Sequence, residues 1–271
     1  TSWADSLGMS GYVGAGGRGR VAGVGISGRN TAYPYTVGLA NAAAQYWGSA
    51  RASDGFFSLS GVLPGTYKLT VFKGDLAVYT GSVTVTAGGT TTLNTIAIPS
   101  SNDPGNASAI WRIGDWNGTP SGFKNADLMT YAHPSDVRAA AWTGNVVIGN
   151  NETASFPCYL WKDVNSGLLV YFRLTAAQAA AAHTLRIGVT TAYANGRPQI
   201  GVNDWTSAIP SPPTQPGTRS LTNGSYRGNN HTFTYSVPAS AWRTDTSQYN
   251  TLKINIVSGS GSTYYLSAGT S

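Results

Sequence analysis

Short runs in which apolar and polar residues alternate dominate the chain from about residue 12 to residue 98. Val, Thr, Ile and aromatic residues fill these runs, and Gly, Pro and Asn separate them, as in GRVAGVGI, YKLTVFKG and AVYTGSVTVT. Because successive side chains of a strand point to opposite faces of a sheet, this alternation predicts strands that bury one face. About six or seven strands within about ninety residues predict a small antiparallel β-sandwich, immunoglobulin-like or fibronectin-like in size.

One segment of this block, DGFFSLSGVLPGTY at residues 54–67, shows the pattern most clearly. Phe57, Leu59 and Val62 supply apolar anchors, and Pro64–Gly65 predicts a turn into the next strand. The segment resembles the prealbumin-like, carboxypeptidase-regulatory type of β-sandwich repeat. The block contains no histidine and few acids, so we predict that it acts as a spacer or support and carries no catalytic residues.

A polar segment, SSNDPGNAS at residues 100–108, has the composition of a linker and separates this block from a second one. The second block contains further alternating runs, among them GLLVYFRL, HTLRIGVTTAY, HTFTYSVP and YNTLKINIV. The run TAAQAAAAH at residues 175–183 predicts a short helix, and Asn-Gly pairs predict turns. About eight strands over about 160 residues predict a jelly-roll sandwich with binding loops at one end.

The composition favours a secreted all-β protein. Only 10% of the residues are charged, against about 25% in typical soluble domains, and Gly and Tyr are abundant. The single cysteine, Cys158, excludes an intrachain disulfide, and we predict either a buried small hydrophobe or a thiol with a partner outside the chain. Sequons of the type N-x-S/T are expected on surface loops. The candidate glycosylation sites are Asn106, Asn117, Asn151, Asn223 and Asn230.

The charges are scattered along the chain, although 17 Lys and Arg residues exceed 11 Asp and Glu residues and give a net charge of +6. Because no basic cluster is present, nucleic acid is not an expected partner. A diffuse positive field favours a polyanion such as an acidic polysaccharide, and the alternative is a solvated surface without an electrostatic role. No apolar run approaches the ~20 residues of a membrane span, so no membrane partner is expected.

One long run, IWRIGDWNGTPSGFKNADLMTYAHPSD at residues 110–136, resembles the start of the C-terminal module of fungal rhamnogalacturonan lyases of polysaccharide lyase family 4. Residues 185–205 and 226–242 continue this resemblance. SWADS and YVGA, followed by RGRVAGVGISG, resemble the connector that leads into the family's second domain. The resemblance implies the second and third of three domains. We therefore expect the N-terminal catalytic β-supersandwich to be missing, and the chain to stop short of the last strand of its jelly roll.

The resemblance also implies the domain boundaries and the fold class, which is all-β. We expect a fibronectin type III-like (prealbumin-like) β-sandwich followed by a jelly-roll, galactose-binding-like β-sandwich. The expected segments are a connector at 1–11, the fibronectin type III-like domain at 12–99, a linker at 100–108 and the carbohydrate-binding-module-like jelly roll at 109–271.

The function that the resemblance implies is that of a non-catalytic C-terminal fragment of a secreted lyase, which cleaves the rhamnogalacturonan I backbone of pectin by β-elimination. Its expected partners are pectic polysaccharide and the missing catalytic domain, and we expect a monomer. The alternatives are a purely structural domain pair without glycan affinity and a chain with lyase activity of its own.

No residue of this sequence is predicted to be catalytic. The Lys and His that the family uses lie in its N-terminal domain, and nothing here matches their motifs. Lys124 and His133 are the residues that could substitute for them. A lysine base needs a pKa depressed by burial or by a neighbouring cation, and the sequence around Lys124 indicates neither.

Sugar binding needs an exposed aromatic ring with planar amide, carboxylate or guanidinium groups beside it. An arginine in such a site could pair with a uronate carboxylate. The alternative for each candidate is a core or rim aromatic, or a side chain that caps a turn. The candidates are Trp116, Arg197, Asn203, Asp204, Trp205, Tyr226, Arg227 and Asn229, with Asn230 beside them.

A jelly roll of this type can hold a structural Ca²⁺ through carboxylate and backbone oxygens. The sequence contains no D-x-D-x-D-G loop, so it assigns no residues to a metal. No other cofactor is expected.

Overall fold

The computed structural model describes residues 3, 6–9, 11–127, 144–162, 164–215, 227, 229–257 and 269–270. The chain divides into two compact units, Thr1–Ser108 and Ala109–Ser271. Strands form most of the regular structure of both units, which confirms the prediction of an all-β chain. None of the helices in the described ranges has the length and hydropathy needed to cross a membrane.

The first unit is a sandwich of two main sheets with its core between them. Sheet A has the strand order β4-β3-β6-β7 and sheet B has the order β5-β1-β8, while β2 and β9 form a short pair. The strands are β1 (Gly19–Gly23), β2 (Ile26–Ser27), β3 (Tyr35–Ala40), β4 (Gln45–Ser49), β5 (Phe57–Val62), β6 (Gly65–Lys73), β7 (Leu76–Val85), β8 (Thr90–Leu93) and β9 (Ile96–Ala97).

Alternation along β3 and β6 of sheet A sets which side chains face the core. Tyr67, Leu69 and Val71 of β6 are buried, and the residues between them face outward. The predicted anchors Phe57 and Leu59 of β5 are buried as well. The Tyr67 hydroxyl donates a hydrogen bond of 2.8 Å to the Leu63 carbonyl, so the ring fills the core while its polar end is satisfied.

Sheet B departs from the purely antiparallel sandwich that the pattern predicted. Strand β1 pairs antiparallel with β5 but parallel with β8, and β2 pairs parallel with β9. Alternation predicts which face a strand buries, but it does not encode the direction of the partner strand. The structure therefore differs from the prediction in the direction of the paired strands, while the buried faces are those that the pattern predicted.

The segment that resembles a linker, residues 100–108, contacts the first unit through side chains. Lys73 Nζ at the end of β6 donates a hydrogen bond of 2.6 Å to Asp103 Oδ1, and both side chains are buried. Asn106 Nδ2 donates to the Gly28 carbonyl at 3.1 Å. Composition alone does not show these contacts, because their partners lie 30 and 78 positions away in the sequence.

The second unit packs its core between sheet C and the antiparallel pair β13–β17. Sheet C has the strand order β10-β12-β18-β15-β16, and a third sheet has the order β11-β19-β14. The strands are β10 (Asn145–Val147), β11 (Leu160–Trp161), β12 (Leu168–Phe172), β13 (His183–Val189), β14 (Ala192–Tyr193), β15 (Arg197–Val202), β16 (Trp205–Thr206), β17 (His231–Val237), β18 (Asn250–Val257) and β19 (Gly269–Thr270).

Two short helices, α1 (Glu152–Ser155) and α2 (Ala176–Ala179), interrupt these strands. Helix α2 begins with a capping box, in which Gln178 N donates to Thr175 Oγ1 and Thr175 N donates to Gln178 Oε1. The predicted helix at 175–183 was too long at its C-terminal end, because β13 already begins at His183. Residues 180–182 form the connection between the two elements.

Candidate functional site

The outward face of sheet C, which we call the sheet C face, places polar and aromatic side chains in rows across neighbouring strands. Leu252, Ile254 and Ile256 of β18 are buried, so the alternate residues of the strand face away from the core. One row pairs Tyr171 of β12 with Thr251 of β18. The next row runs from Leu169 through Lys253 to Gly201, and a third pairs Asn255 with Gln199.

An aromatic and cationic corner lies at one end of this face. The rings of Tyr171 and Tyr249 have centroids 6.4 Å apart at 81°, in an edge-to-face contact. The guanidinium carbon of Arg173 lies 4.4 Å from the centroid of the Tyr249 ring, which is a cation–π contact. Tyr249 remains 43% exposed. The corner therefore combines an accessible ring with an oriented positive charge.

Lys253 provides a second positive charge, and glycines on both sides leave space around it. A Cβ at Gly167 would lie 3.2 Å from Lys253 Cε and 3.5 Å from Asn255 Oδ1. A Cβ at Gly201 would lie 3.9 Å from Lys253 Cβ. Because Lys253 stands diagonally across from Tyr171, their Cα atoms are about 7–8 Å apart. An ammonium group, an amide and an aromatic pair thus share one open surface.

This arrangement matches the chemistry of an acidic sugar. Tyrosine rings accept the C–H groups of a pyranose, and Asn or Thr side chains bond its hydroxyl groups. Lys and Arg form charge-assisted hydrogen bonds with a carboxylate, and an arginine can do so through two parallel N–H groups. Arg173 and Lys253 are therefore the groups that can bind a uronate carboxylate.

Arg197, a predicted sugar-binding residue, lies on the same side of β15 as Gln199 but is buried, with 8% of its surface exposed. Its Nε donates to the Pro210 carbonyl at 2.5 Å and its Nη1 donates to the Asn195 carbonyl at 3.0 Å. The guanidinium group therefore fixes the segment that contains Pro210. Arg197 is part of the structure that borders the sheet C face, and it offers no open surface to a sugar.

The hairpin between β15 and β16 holds three more of the predicted residues. Asn203 has a left-handed backbone, with φ of 50°, and its Nδ2 donates to the Ala241 carbonyl and to Asn250 Oδ1 at 2.8 Å each. Asn203 Oδ1 accepts from the Thr251 N–H. Trp205 packs half-buried against the core, and Asp204 is exposed. Asn203 and Trp205 therefore have structural contacts, and Asp204 alone faces solvent.

The remaining predicted residues lie elsewhere in the second unit. The half-buried Trp116 ring covers Gly188 of β13, since a Cβ at Gly188 would lie 3.2 Å from Trp116 Cζ3. Arg227 is exposed, and the Asn229 carbonyl accepts a hydrogen bond from Gln215 Nε2. Tyr226 lies outside the described residues. The structure thus does not gather the predicted residues into one surface.

Sequence reasoning missed the residues of the sheet C face. The run GLLVYFRL predicts a strand, but candidates chosen from loop segments leave out the residues at its outward positions. The alternation of this strand could have identified these residues. It places Leu169, Tyr171 and Arg173 on the outward side, and buried apolar residues on the other side. The same rule places Lys253 and Asn255 of β18 outward.

The candidate glycosylation sites differ in how their side chains are used. The side-chain amides of Asn106 and Asn230 donate hydrogen bonds to the backbone carbonyls of Gly28 and Gly118. Asn117 accepts two hydrogen bonds from Thr119 in a turn. Asn151 is exposed before helix α1 and makes no capping hydrogen bond with its side chain. Asn223 lies outside the described residues.

Within the described ranges, no group of three or more His, Cys, Asp or Glu residues could hold a metal ion. The Lys124 backbone N–H donates to the Phe156 carbonyl, and the Lys124 carbonyl accepts from the Cys158 N–H. His133 lies outside the described residues. Cys158 is buried, and burial raises the pKa of its thiol to about 12. It is therefore a thiol at neutral pH, in agreement with the prediction of a buried small hydrophobe.

Two family models match the chain. The model described as polysaccharide lyase family 4, domain III, a CBM-like module, matches residues 109–270. The model described as polysaccharide lyase family 4, domain II, matches residues 17–93.

Individual relatives match over nearly the whole chain. Rhamnogalacturonate lyase A of Emericella nidulans is 40% identical over 267 residues, which cover 98% of this chain and 49% of the relative. Rhamnogalacturonate lyase A of Aspergillus aculeatus is 40% identical over 268 residues, with coverage of 98% and 49%. The chain therefore spans about half the length of the curated relatives it matches.

Solved structures give a weaker comparison. A DUF3823 family protein from Bacteroides ovatus aligns over 94% of this chain and 95% of its own, at 10% identity and a TM-score of 0.23. A similarity at this level carries no argument about function.

Proposed function

Because the chain belongs to polysaccharide lyase family 4 and carries that family's domains II and III, we propose that it is the non-catalytic C-terminal part of a secreted rhamnogalacturonan lyase. The whole enzyme cleaves the rhamnogalacturonan I backbone of pectin by β-elimination. The chain supports the N-terminal catalytic domain as part of a monomer, and it binds the polysaccharide through the sheet C face.

The observation that carries the binding proposal is the arrangement of Tyr171, Tyr249, Arg173 and Lys253 on one open sheet. Rhamnogalacturonan presents alternating neutral and acidic sugars, and these need an aromatic ring and a cation within reach of each other. On this face the Tyr171 ring and the Lys253 ammonium group belong to diagonally adjacent positions of neighbouring strands. The names of the relatives, which refer to rhamnogalacturonate, support the choice of polymer.

The non-catalytic part of the proposal has a separate basis. β-Elimination needs a base that removes the proton next to the uronate carboxylate, together with a group that neutralises this carboxylate. The exposed Lys253 could supply the second role, but no histidine is among the residues that form the rows of the sheet C face. The described face therefore suits recognition of the polymer better than its cleavage.

Two measurements on the 271-residue chain test the proposal. In the first, the chain is incubated with rhamnogalacturonan, and the unsaturated uronate produced by elimination is followed by its ultraviolet absorbance. We expect no growth above the blank. Sustained growth in proportion to chain concentration would contradict the non-catalytic role.

In the second measurement, rhamnogalacturonan oligosaccharides are titrated calorimetrically into the chain and into Tyr249→Ala and Lys253→Ala variants. Each substitution is expected to weaken binding about ten-fold, because it removes an aromatic anchor or the partner of a uronate. Lys162→Ala is the matched control, since it removes the same charge from an exposed position outside sheet C. Equal losses in all three variants would contradict a defined site. No binding by the unaltered chain would favour a purely structural domain pair.

A further inference from the structure

Trp47 is the most exposed large hydrophobic residue in the described part of the chain, with 73% of its surface accessible. It lies in the middle of β4, an edge strand of sheet A, and not on a loop tip. Strand alternation aims it outward, because its neighbours Tyr46 and Gly48 are less exposed than Trp47 itself. An aromatic ring held above a sheet by regular strand geometry is a fixed feature of the surface.

The sheet in front of Trp47 carries small and hydroxylated side chains. The register runs from Trp47 through Gly38 of β3 and Thr70 of β6 to Thr80 of β7. The nearest side chain to Gly38 is Phe72, whose ring would lie 3.4 Å from a Cβ at that position. Beside the Trp47 indole, Gly38 therefore adds no side chain to the surface. The Phe72 ring and the hydroxyl groups of Thr70 and Thr80 are its neighbours on this face.

A cation stands in the next row of the same face. Lys68 of β6 is exposed and pairs across the sheet with Ala40 of β3 and Ser82 of β7. With strands about 4.8 Å apart and a rise of about 3.4 Å per residue, the Cα atoms of Trp47 and Lys68 are about 12 Å apart. Both side chains are long enough to approach each other over the small residues between them. A disaccharide can bridge the remaining gap.

From these relations we infer that the outward face of sheet A is a second polysaccharide contact. The Trp47 indole stacks on a pyranose ring, Thr70 and Thr80 bond its hydroxyl groups, and Lys68 pairs with the carboxylate of a neighbouring uronate. This inference rests on the proposed function, because it assigns the same polymer to a second place. It uses the first unit, for which the sequence predicted only a supporting role.

The composition of the face favours a glycan over a protein partner. The centres of protein interfaces are continuous, apolar and depleted of lysine. Here the protruding Trp47 ring stands near Gly38 and the Phe72 ring, and the surrounding positions of the face carry threonine, serine and a lysine. Such a surface can stack on one sugar and hydrogen-bond the next, while it offers little continuous apolar area to a second copy of the chain.

The contribution of each side chain to this face is tested by substitution. Trp47→Ala and Lys68→Ala are expected to weaken the binding of rhamnogalacturonan oligosaccharides to the outward face of sheet A about ten-fold, because each removes an aromatic anchor or the partner of a uronate. Val24→Ala, which truncates another exposed apolar residue of the first unit outside sheet A, should leave the affinity unchanged.

The decisive experiment follows the Trp47 indole N–H by two-dimensional NMR, with the signal assigned from its loss in Trp47→Phe. Backbone signals of Lys253 and Thr251 report on the sheet C face in the same titration with rhamnogalacturonan oligosaccharides. Saturable shifts at Trp47, reduced by Lys68→Ala and not by Val24→Ala, are the expected result. Shifts confined to the sheet C face would overturn the inference and leave the proposed function standing. Shifts at neither face would overturn both. A Trp47 shift that follows chain concentration without sugar would assign the face to self-association and overturn the inference.

Discussion

Lys73 and Asp103 form an ion pair that is completely enclosed in the first unit, with side-chain exposures of 0% and 1%. The ammonium nitrogen also lies 5.0 Å from the centroid of the Tyr33 ring. Asp103 Oδ2 is buried and has no hydrogen-bond partner among the described residues. The pair therefore joins the segment after β9 to the end of β6, at a considerable cost in desolvation.

Removing one member of this pair should destabilise the first unit strongly. Asp103→Leu leaves a buried ammonium group without its carboxylate, and the expected loss is about 3–5 kcal/mol in the free energy of unfolding. The double variant Lys73→Met with Asp103→Leu should recover most of this loss, since an apolar pair needs no desolvation. Urea unfolding of the three proteins measures both effects. A single variant as stable as the parent chain would show that the pair contributes little.

A second ion pair, between Arg51 and Asp54, should appear in the acid titration of the chain. The hydrogen bonds from the Arg51 guanidinium, and then that from the Phe56 N–H, lower the pKa of the Asp54 carboxyl to about 2. The folded state thus favours the ionised form, so its contribution to stability is present above pH ~4 and is lost as the pH falls towards 2. NMR titration of the Asp54 carboxyl should show this low midpoint, and Arg51→Ala should raise it towards its ordinary value. An unchanged midpoint in Arg51→Ala would show that the Phe56 N–H dominates.

The two glycines beside Lys253 should respond differently to alanine. Gly167 has φ of 82°, and its added Cβ would press on Lys253 Cε at 3.2 Å. Gly167→Ala is therefore expected to cost about 1 kcal/mol in stability and to weaken uronate binding by displacing the lysine. Gly201→Ala meets nothing closer than 3.5 Å and should leave stability almost unchanged. Thermal unfolding and oligosaccharide titration distinguish the two, and equal effects would contradict the described spacing.

Arg197 should affect stability and not sugar affinity. Arg197→Lys replaces the guanidinium fork that bonds the Pro210 and Asn195 carbonyls with a single ammonium group, so these two part-buried hydrogen bonds cannot both be kept in the same geometry. We expect a loss of about 1–3 kcal/mol in the free energy of unfolding, with affinity for oligosaccharides unchanged where the variant is folded. Affinity lost without any change in stability would place Arg197 in the sugar site after all.

Cys158 should react with thiol reagents only when the second unit opens. Burial raises its pKa to about 12, so the nucleophilic thiolate is almost absent at neutral pH and the sulfur is also shielded. Labelling with iodoacetamide is expected to be negligible in buffer and complete in denaturant. Rapid labelling of the native chain would contradict the burial of this residue.

The fold was largely readable from alternation, because burial of one face is a property of each strand separately. Tyr67, Leu69 and Val71 illustrate this, since their spacing alone places them in the core. The parallel pairing of β1 with β8 was not readable, because it depends on residues about 70 positions apart that carry no shared pattern.

The candidate site was less predictable for a related reason. Arg197, Asn203 and Trp205 have the residue types of a sugar site, but tertiary contacts occupy their polar groups or bury their rings. Tyr249, Arg173 and Lys253 come together only when β12 and β18 pair. The type of a residue indicates which sugar groups its side chain can bind. Whether that side chain is free to bind them depends on the neighbours that folding brings together.

The position of β1 inside sheet B has a consequence for biosynthesis. β1 is the first strand of the first unit to leave the ribosome, yet its two neighbours are β5 and β8, and β8 ends at Leu93. During translation the edge of β1 that pairs with β8 therefore remains unpaired until about seventy further residues have been made. The Lys73–Asp103 pair closes only after a further ten residues. The first unit thus becomes a complete domain only when translation has already passed its last described strand.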